Sequence, residues 1–149
     1  MTDNIKKICI AGIGNPIRSD DGIGVYVCER IELLKIPGVS VMPLQQLQVE
    51  LIETFSSFDY VVIADASIDD HDIEFYPLTS TASHSISSSH HINPEILNAL
   101  SAQINGKRFH LFICKIKGVK FDFGEDLSQD AMLHADKAIN IITQWISAL

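Results

Sequence analysis

Two neighbouring aspartates, Asp20 and Asp21, stand inside a glycine-framed loop that runs from Gly12 to Gly24. A third, Asp65, ends the apolar run Val61-Val62-Ile63-Ala64. His90 and His91 close a serine-rich stretch just ahead of Asn93-Pro94. Carboxylate and imidazole donors form a hard-to-borderline ligand set that suits nickel, zinc, manganese or ferrous iron. Three such ligands leave positions open for water or a substrate group. A carboxylate beside that water can orient it or take its proton. Asp21, Asp65 and His90 are the candidates, the two aspartates also as catalytic groups. Each has a plainer alternative: Asp20 or Asp21 as a helix cap, Asp65 as a solvated strand end, and the histidines in solvent.

The full loop reads Gly12-Ile13-Gly14-Asn15-Pro16-Ile17-Arg18-Ser19-Asp20-Asp21-Gly22-Ile23-Gly24, and it excludes two other chemistries. A dinucleotide fingerprint needs a third glycine where Ile17 stands. A phosphate loop needs Gly-Lys-Ser/Thr, and paired aspartates would repel the phosphate. Ser19 and the Ser87-Ser88-Ser89 run have no nucleophile elbow around them, which argues against serine hydrolysis. Asn15 reads as a support for the loop's backbone, and Asp69-Asp70-His71-Asp72 as a solvated turn. Cys9, Cys28 and Cys114 are widely spaced in apolar runs, so they read as buried thiols of a reducing compartment.

An α/β frame must position these residues. Residues 6–12 read as a strand and 22–36 as a helix with Val27, Ile31 and Leu34 inward, ended by Pro37-Gly38. Residues 39–44 alternate into a second strand, and 49–55 form a short helix. Residues 59–66 are the kind of unbroken apolar strand that is buried on both faces of a parallel sheet. Residues 73–78 predict an edge strand. The polar loop 79–91 is long enough to be functional. Pro94 suits the first turn of a helix whose apolar face is Ile96, Leu97, Leu100 and Ile104. Residues 109–116 form another strand and 117–125 a turn-rich connection. Ser128 then caps a last helix with Ala131, Ala135, Ala138, Ile142, Trp145 or Ile146, and Leu149 inward. This alternation predicts a single three-layer α/β/α domain over 1–149, built on a mostly parallel twisted sheet. Sites in such sheets gather beyond the carboxyl ends of the strands. Asp21 after the first strand, Asp65 ending the third and His90 before a helix can all reach that edge.

With 149 residues, 46% hydrophobic and 20% charged, the chain has globular rather than disordered composition. A net charge of −8 argues against a nucleic-acid partner. Lys115, Lys117 and Lys120 read as a solvated strand edge. No apolar run is long enough to span a bilayer, and the polar start runs into a strand too short for a signal-peptide core. The expected setting is cytoplasmic, with no membrane partner.

The loop Gly12 to Gly24 resembles the N-terminal signature of the hydrogenase maturation proteases. Val62-Ile63-Ala64-Asp65-Ala66 is similar to that family's strand ending in Asp-Ala, and Ser89-His90-His91-Ile92-Asn93-Pro94-Glu95-Ile96-Leu97 to its histidine before a helix. Phe121-Asp122-Phe123-Gly124-Glu125-Asp126-Leu127-Ser128 resembles one branch. The four matches lie in order along nearly the whole chain. The resemblance implies an endopeptidase that removes the C-terminal extension of a nickel–iron hydrogenase large-subunit precursor once nickel is inserted. It implies Asp21, Asp65 and His90 as the nickel-recognising ligands, with nickel brought by the substrate. His91 is the adjacent alternative to His90. Many members have a glycine pair after the second strand. This chain has Pro43-Leu44-Gln45-Gln46-Leu47-Gln48-Val49-Glu50-Leu51, which resembles a branch linked to bidirectional or cytoplasmic hydrogenases. That difference bears on which large subunit is the substrate.

Two other functions fit parts of the chain. One is a nickel-sensing chaperone that binds the precursor without cleaving it. The other is peptidyl-tRNA hydrolase, whose opening Gly-x-Gly-Asn-Pro resembles Gly12 to Pro16. The acidic charge opposes the second, as does the lack of a histidine–asparagine pair soon after the loop.

Overall fold

The computed structural model describes residues 5–78, 93–95, 97–99 and 109–149. The chain forms β1 (Ile8–Ile13), a 3-10 turn (Ser19–Gly22), α1 (Ile23–Leu33), β2 (Val39–Leu44) and α2 (Leu51–Phe55). It continues through β3 (Tyr60–Ser67), β4 (Ile73–Pro77), β5 (His110–Lys117) and α3 (Gln129–Ser147). The strands lie in the order β2-β1-β3-β5-β4. Four are parallel, and β4 runs antiparallel to β5 at the edge. The expected mostly parallel α/β sheet is present, with β4 at its predicted edge.

Alternation along each strand feeds two cores. Ile8, Ile10, Val62, Ala64, Cys114 and Ile116 face α1 and α3. Cys9, Ala11, Val61, Ile63, Leu111 and Ile113 face Ile52 and Phe55 of α2 and Leu97. Two-sided burial explains why β1 and β3 read as unbroken apolar runs. Pro43 lacks a backbone N–H, and it is tolerated because β2 is the other edge strand. Ser128 caps α3, its Oγ accepting from the Ala131 N–H at 3.1 Å. Ala131, Ala135 and Ala138 are buried and let α3 pack closely, and Trp145 packs edge-to-face with Tyr60 and Phe75 and tilted against Phe112. Leu149, expected inward, is instead exposed.

The first helix also ends earlier than Pro37-Gly38 implies. It stops at Leu33, Leu34 is its C-cap, and Lys35 takes a left-handed φ of +52°. At this end of the helix Leu33 and Leu34 are both exposed, while Val27 and Ile31 are buried. A non-glycine residue in this conformation costs about 1 kcal/mol. Lys35→Gly should therefore stabilise the chain by about 0.5–1 kcal/mol, read as a higher urea midpoint with unchanged slope.

Candidate functional site

The site begins with two glycines that bring main chain against main chain. A Cβ on Gly12 would lie 2.0 Å from the Gly24 carbonyl oxygen. One on Gly24 would lie 2.6 Å from both the Ala64 oxygen and the Ile13 nitrogen. The start of α1 thus rests directly on the carboxyl ends of β1 and β3. Gly14, at φ +144°, lets the loop double back against Asp21.

Asp21 is half-buried in that loop, and its Oδ2 accepts the Asn15 N–H at 2.9 Å. Asn15 in turn accepts the Ile17 N–H through Oδ1 at 3.1 Å, the backbone role expected of it. Asp65 ends the buried part of β3, level with Ile13 of β1 and Lys115 of β5. Its Oδ1 accepts the Ala66 N–H at 2.8 Å. Burial pushes the Asp65 carboxyl up to about 6, and the negative charge of Asp21 pushes the same way. The Ala66 N–H and Lys115 only partly offset this. Two carboxylates close enough to repel, one of them poorly solvated, form a donor pair that a divalent cation would relieve.

Asp20 has a different role from its neighbour. It is fully buried. Oδ2 accepts from the Val119 and Lys120 N–H groups (2.8 and 2.9 Å) and from Ser128 Oγ (2.8 Å), while Oδ1 accepts the Ser128 N–H at 2.7 Å. Burial opposes its charge, but these four bonds together hold its carboxyl below the usual carboxylate range. Neither aspartate caps α1, whose N-cap is Gly22 with no side-chain bond. Asp20 ties the glycine loop to the 118–128 segment and leaves Asp21 to face the site.

Lys115 was not legible as a site residue. The expectation of a solvated edge fails for it because β4 adds outside β5 and makes β5 an interior strand. Lys115 shares an open cleft of about 420 Å³ with Asp65, Asp69, Tyr76, Glu95 and Phe121. Its Nζ lies 3.6 Å from Asp69 Oδ2. Tyr76, Asp69 and Glu74 hold its ammonium above the usual range, against the effect of burial. One signal was present: Lys115 is in phase with Leu111 and Ile113, which are buried, so a charge falls on an apolar face at a strand's carboxyl end.

His90 and His91 lie outside the described residues, as does the whole 79–91 loop with Ser87-Ser88-Ser89. Among the described residues no three His, Cys, Asp or Glu side chains form a metal-holding group. The run Asp69 to Asp72 is exposed, with Asp69 paired to Lys115 and Asp72 near His134. Ser19 is buried and its Oγ donates to the Asp122 carbonyl at 2.8 Å, so it serves the loop. All three cysteines are buried and free, and burial pushes their thiols up to about 11 or 12. No described helix is long and apolar enough to cross a membrane.

No protein-family model matches the chain, and no curated protein matches it. Solved structures do. A NiFe hydrogenase maturation protease, HycI from Thermococcus kodakarensis KOD1, aligns with TM-score 0.73 at 22% identity, covering 97% of this chain and 95% of that one. The hydrogenase maturating endopeptidase HybD from E. coli aligns with TM-score 0.72 at 18% identity, covering 95% and 93%. A hydrogenase 2 maturation peptidase from Thaumarchaeota archaeon SCGC_AB-539-E09 aligns with TM-score 0.71 at 14% identity, covering 95% and 98%. Over nearly its whole length, this chain has the fold of the hydrogenase maturation proteases.

Proposed function

We propose that the protein is an endopeptidase that removes the C-terminal extension of a nickel–iron hydrogenase large-subunit precursor after nickel insertion. The observation that carries this reading is that Asp65, which lines an open cleft, lies close enough to Asp21 to feel its charge, in a fold shared with proteins that bear that name. Asp21, Asp65 and His90 would receive nickel carried by the precursor, so nickel belongs to the substrate. The cytoplasm is the proposed compartment.

Amide hydrolysis needs water added to the scissile carbonyl carbon and a proton delivered to the departing nitrogen. Asp65, with its carboxyl at about 6, is ionised at neutral pH and basic enough to accept a proton from that water. The same proton then passes to the amine as the C–N bond breaks. Asp21 is fixed in its loop by the Asn15 N–H. Processing of dilute precursor, read as kcat/KM, which reports the free enzyme, should therefore rise as pH increases through about 6. Lys115→Met removes the cation beside Asp65 and should move that rise to higher pH, with little change above pH 8; pH–rate profiles of the two proteins check this.

The test is a processing assay on a nickel-loaded precursor with a nickel-free control, in which mass spectrometry follows loss of the tail. Cleavage only with nickel is the expected result. Tight binding without cleavage would favour the chaperone instead, and neither binding nor cleavage would reject the precursor as partner.

A further inference from the structure

We propose that Tyr76 is a further catalytic residue, its hydroxyl donating a hydrogen bond to the scissile carbonyl oxygen as that oxygen takes up negative charge. This rests on the processing function above and adds a group that the two aspartates do not supply. A carboxylate repels an oxyanion, so neither Asp21 nor Asp65 can receive it. A donor fixed where the charge develops is the usual answer, and it is worth most in a site that excludes water.

Strand order decides on which side that donor lies. Asp21 is held by the Asn15 N–H just past the end of β1, and its charge acts on Asp65. On the other side of β3 come β5 and then β4. The carbonyl oxygen of a peptide at Asp65 therefore turns from the β1 side toward β5 and β4. Asp65 pairs with Lys115, Ile63 with Ile113, and Ile113 in turn with Tyr76. Paired residues share a face of the sheet, as do alternate residues along a strand. Asp65, Lys115 and Tyr76 thus stand on one face, and all three line the cleft of about 420 Å³. Strands about 4.8 Å apart with a rise of about 3.3 Å per residue put the Asp65 and Tyr76 α-carbons about 12 Å apart. A carboxylate, a peptide group and a phenol fill that span.

Among the described residues lining the cleft, Ser67, Tyr76 and Lys115 carry the side-chain donors. Lys115 is engaged by Asp69 at 3.6 Å, both side chains being about half exposed. Ser67 is held in its turn, its Oγ accepting the Asp69 N–H at 3.0 Å. The Tyr76 hydroxyl has no hydrogen-bond partner among the described residues, while no buried side-chain polar atom among them lacks one. It therefore reaches solvent, and the cleft is the space it borders. Its ring packs on the core that contains Ile63 and Ile113, so the hydroxyl is in place before a substrate arrives. Of the groups that raise the Lys115 ammonium, Tyr76 acts most strongly, which makes hydroxyl and ammonium neighbours on the side away from Asp21.

In the reaction, the water oxygen bonds to the carbonyl carbon while a water proton passes to Asp65. The carbonyl π pair moves onto oxygen, where the Tyr76 O–H holds it. When the pair returns, the C–N bond breaks and Asp65 delivers its proton to the nitrogen. Tyr76 keeps its own proton throughout.

The experiment compares the parent with Tyr76→Phe on nickel-loaded precursor in single-turnover reactions with enzyme in excess. Cleavage rate at saturation and half-saturating concentration are then read separately. The cleavage rate should fall about 100-fold. Half-saturation should stay within about twofold, because the bond is made chiefly in the transition state. The rise of kcat/KM with pH should stay where the parent has it, unlike that of Lys115→Met. Phenylalanine keeps the ring and removes a hydroxyl that has no described partner, so the melting temperature should stay within about 2 °C of the parent's. If the parent cleaves and the variant stays within about threefold of its rate, the assignment of Tyr76 is wrong while the function stands. Weaker half-saturation at an unchanged cleavage rate also overturns it, as the mark of ground-state binding. So does a displaced pH rise, since Tyr76 would then act through Asp65. A parent that leaves the nickel-loaded precursor uncut overturns both.

Discussion

Replacing Asp65 by asparagine should abolish processing while making the protein more stable at neutral pH. Asparagine keeps the acceptor for the Ala66 N–H but can neither take a proton from water nor bind a cation as a carboxylate does. The rate on a nickel-loaded precursor should fall by at least about 100-fold. The stability change follows from the raised carboxyl, at about 6 against an ordinary 3.8. The folded chain holds this proton more tightly than the unfolded chain, so Asp65 contributes stability below about pH 4. That contribution is lost as pH rises through 6. The displacement corresponds to at most about 3 kcal/mol. Asp65 is only half-buried, and solvent screening lowers the expected gain to about 1–2 kcal/mol at pH 7 to 8. Thermal melts should show a gain of roughly 3–6 °C there and none near pH 4. Equal melting temperatures at both pH values would refute the proposed repulsion from Asp21 and burial.

Asp20→Ala should do the reverse, weakening the fold before it touches chemistry. The alanine leaves the Val119, Lys120 and Ser128 N–H groups and the Ser128 hydroxyl without their buried acceptor. A loss of about 3–5 kcal/mol follows, or roughly 10 °C or more in melting temperature. Asp20→Asn should recover little, because its amide would direct donors at donors. The Asp20 carboxyl lies below its ordinary 3.8, so its contribution is complete above pH 4 and fades as pH falls through the lowered value. Urea titrations at pH 7 and pH 3 should show the gap between parent and variant shrinking in acid. A variant within about 1 kcal/mol of the parent at pH 7 would remove Asp20 from its structural role.

The pair Asp20 and Asp21 also shows where sequence reading stops. Both could be read as helix caps, and neither is. What separates them is a set of partners about a hundred residues away, at Val119, Lys120 and Ser128, and local spacing carries no information about such contacts. The place of Asp65, just past the buried part of β3, was legible because an unbroken apolar run leads up to it. β2 was legible to the residue because alternation on an edge strand is strong. Lys115 was misread because strand order is not chain order: β4 precedes β5 in sequence but lies outside it in the sheet. The end of α1 was misread because Lys35 adopts φ +52° without being glycine, and helix-ending rules look for glycine or proline.

Gly24 lies against both Ile13 and Ala64, the residues that immediately precede the glycine loop's turn and Asp65. Main chain packed on main chain therefore fixes the start of α1 against the ends of β1 and β3, the elements next to the two carboxylates. Replacements elsewhere in the apolar layers can shift side chains without carrying that contact along. Chains that share only 14–22% of their residues with this one reach the same fold at TM-scores of 0.71–0.73. The positions with no such freedom are the small ones: Gly24→Ala should be tolerated far less well than a methyl group lost from either core.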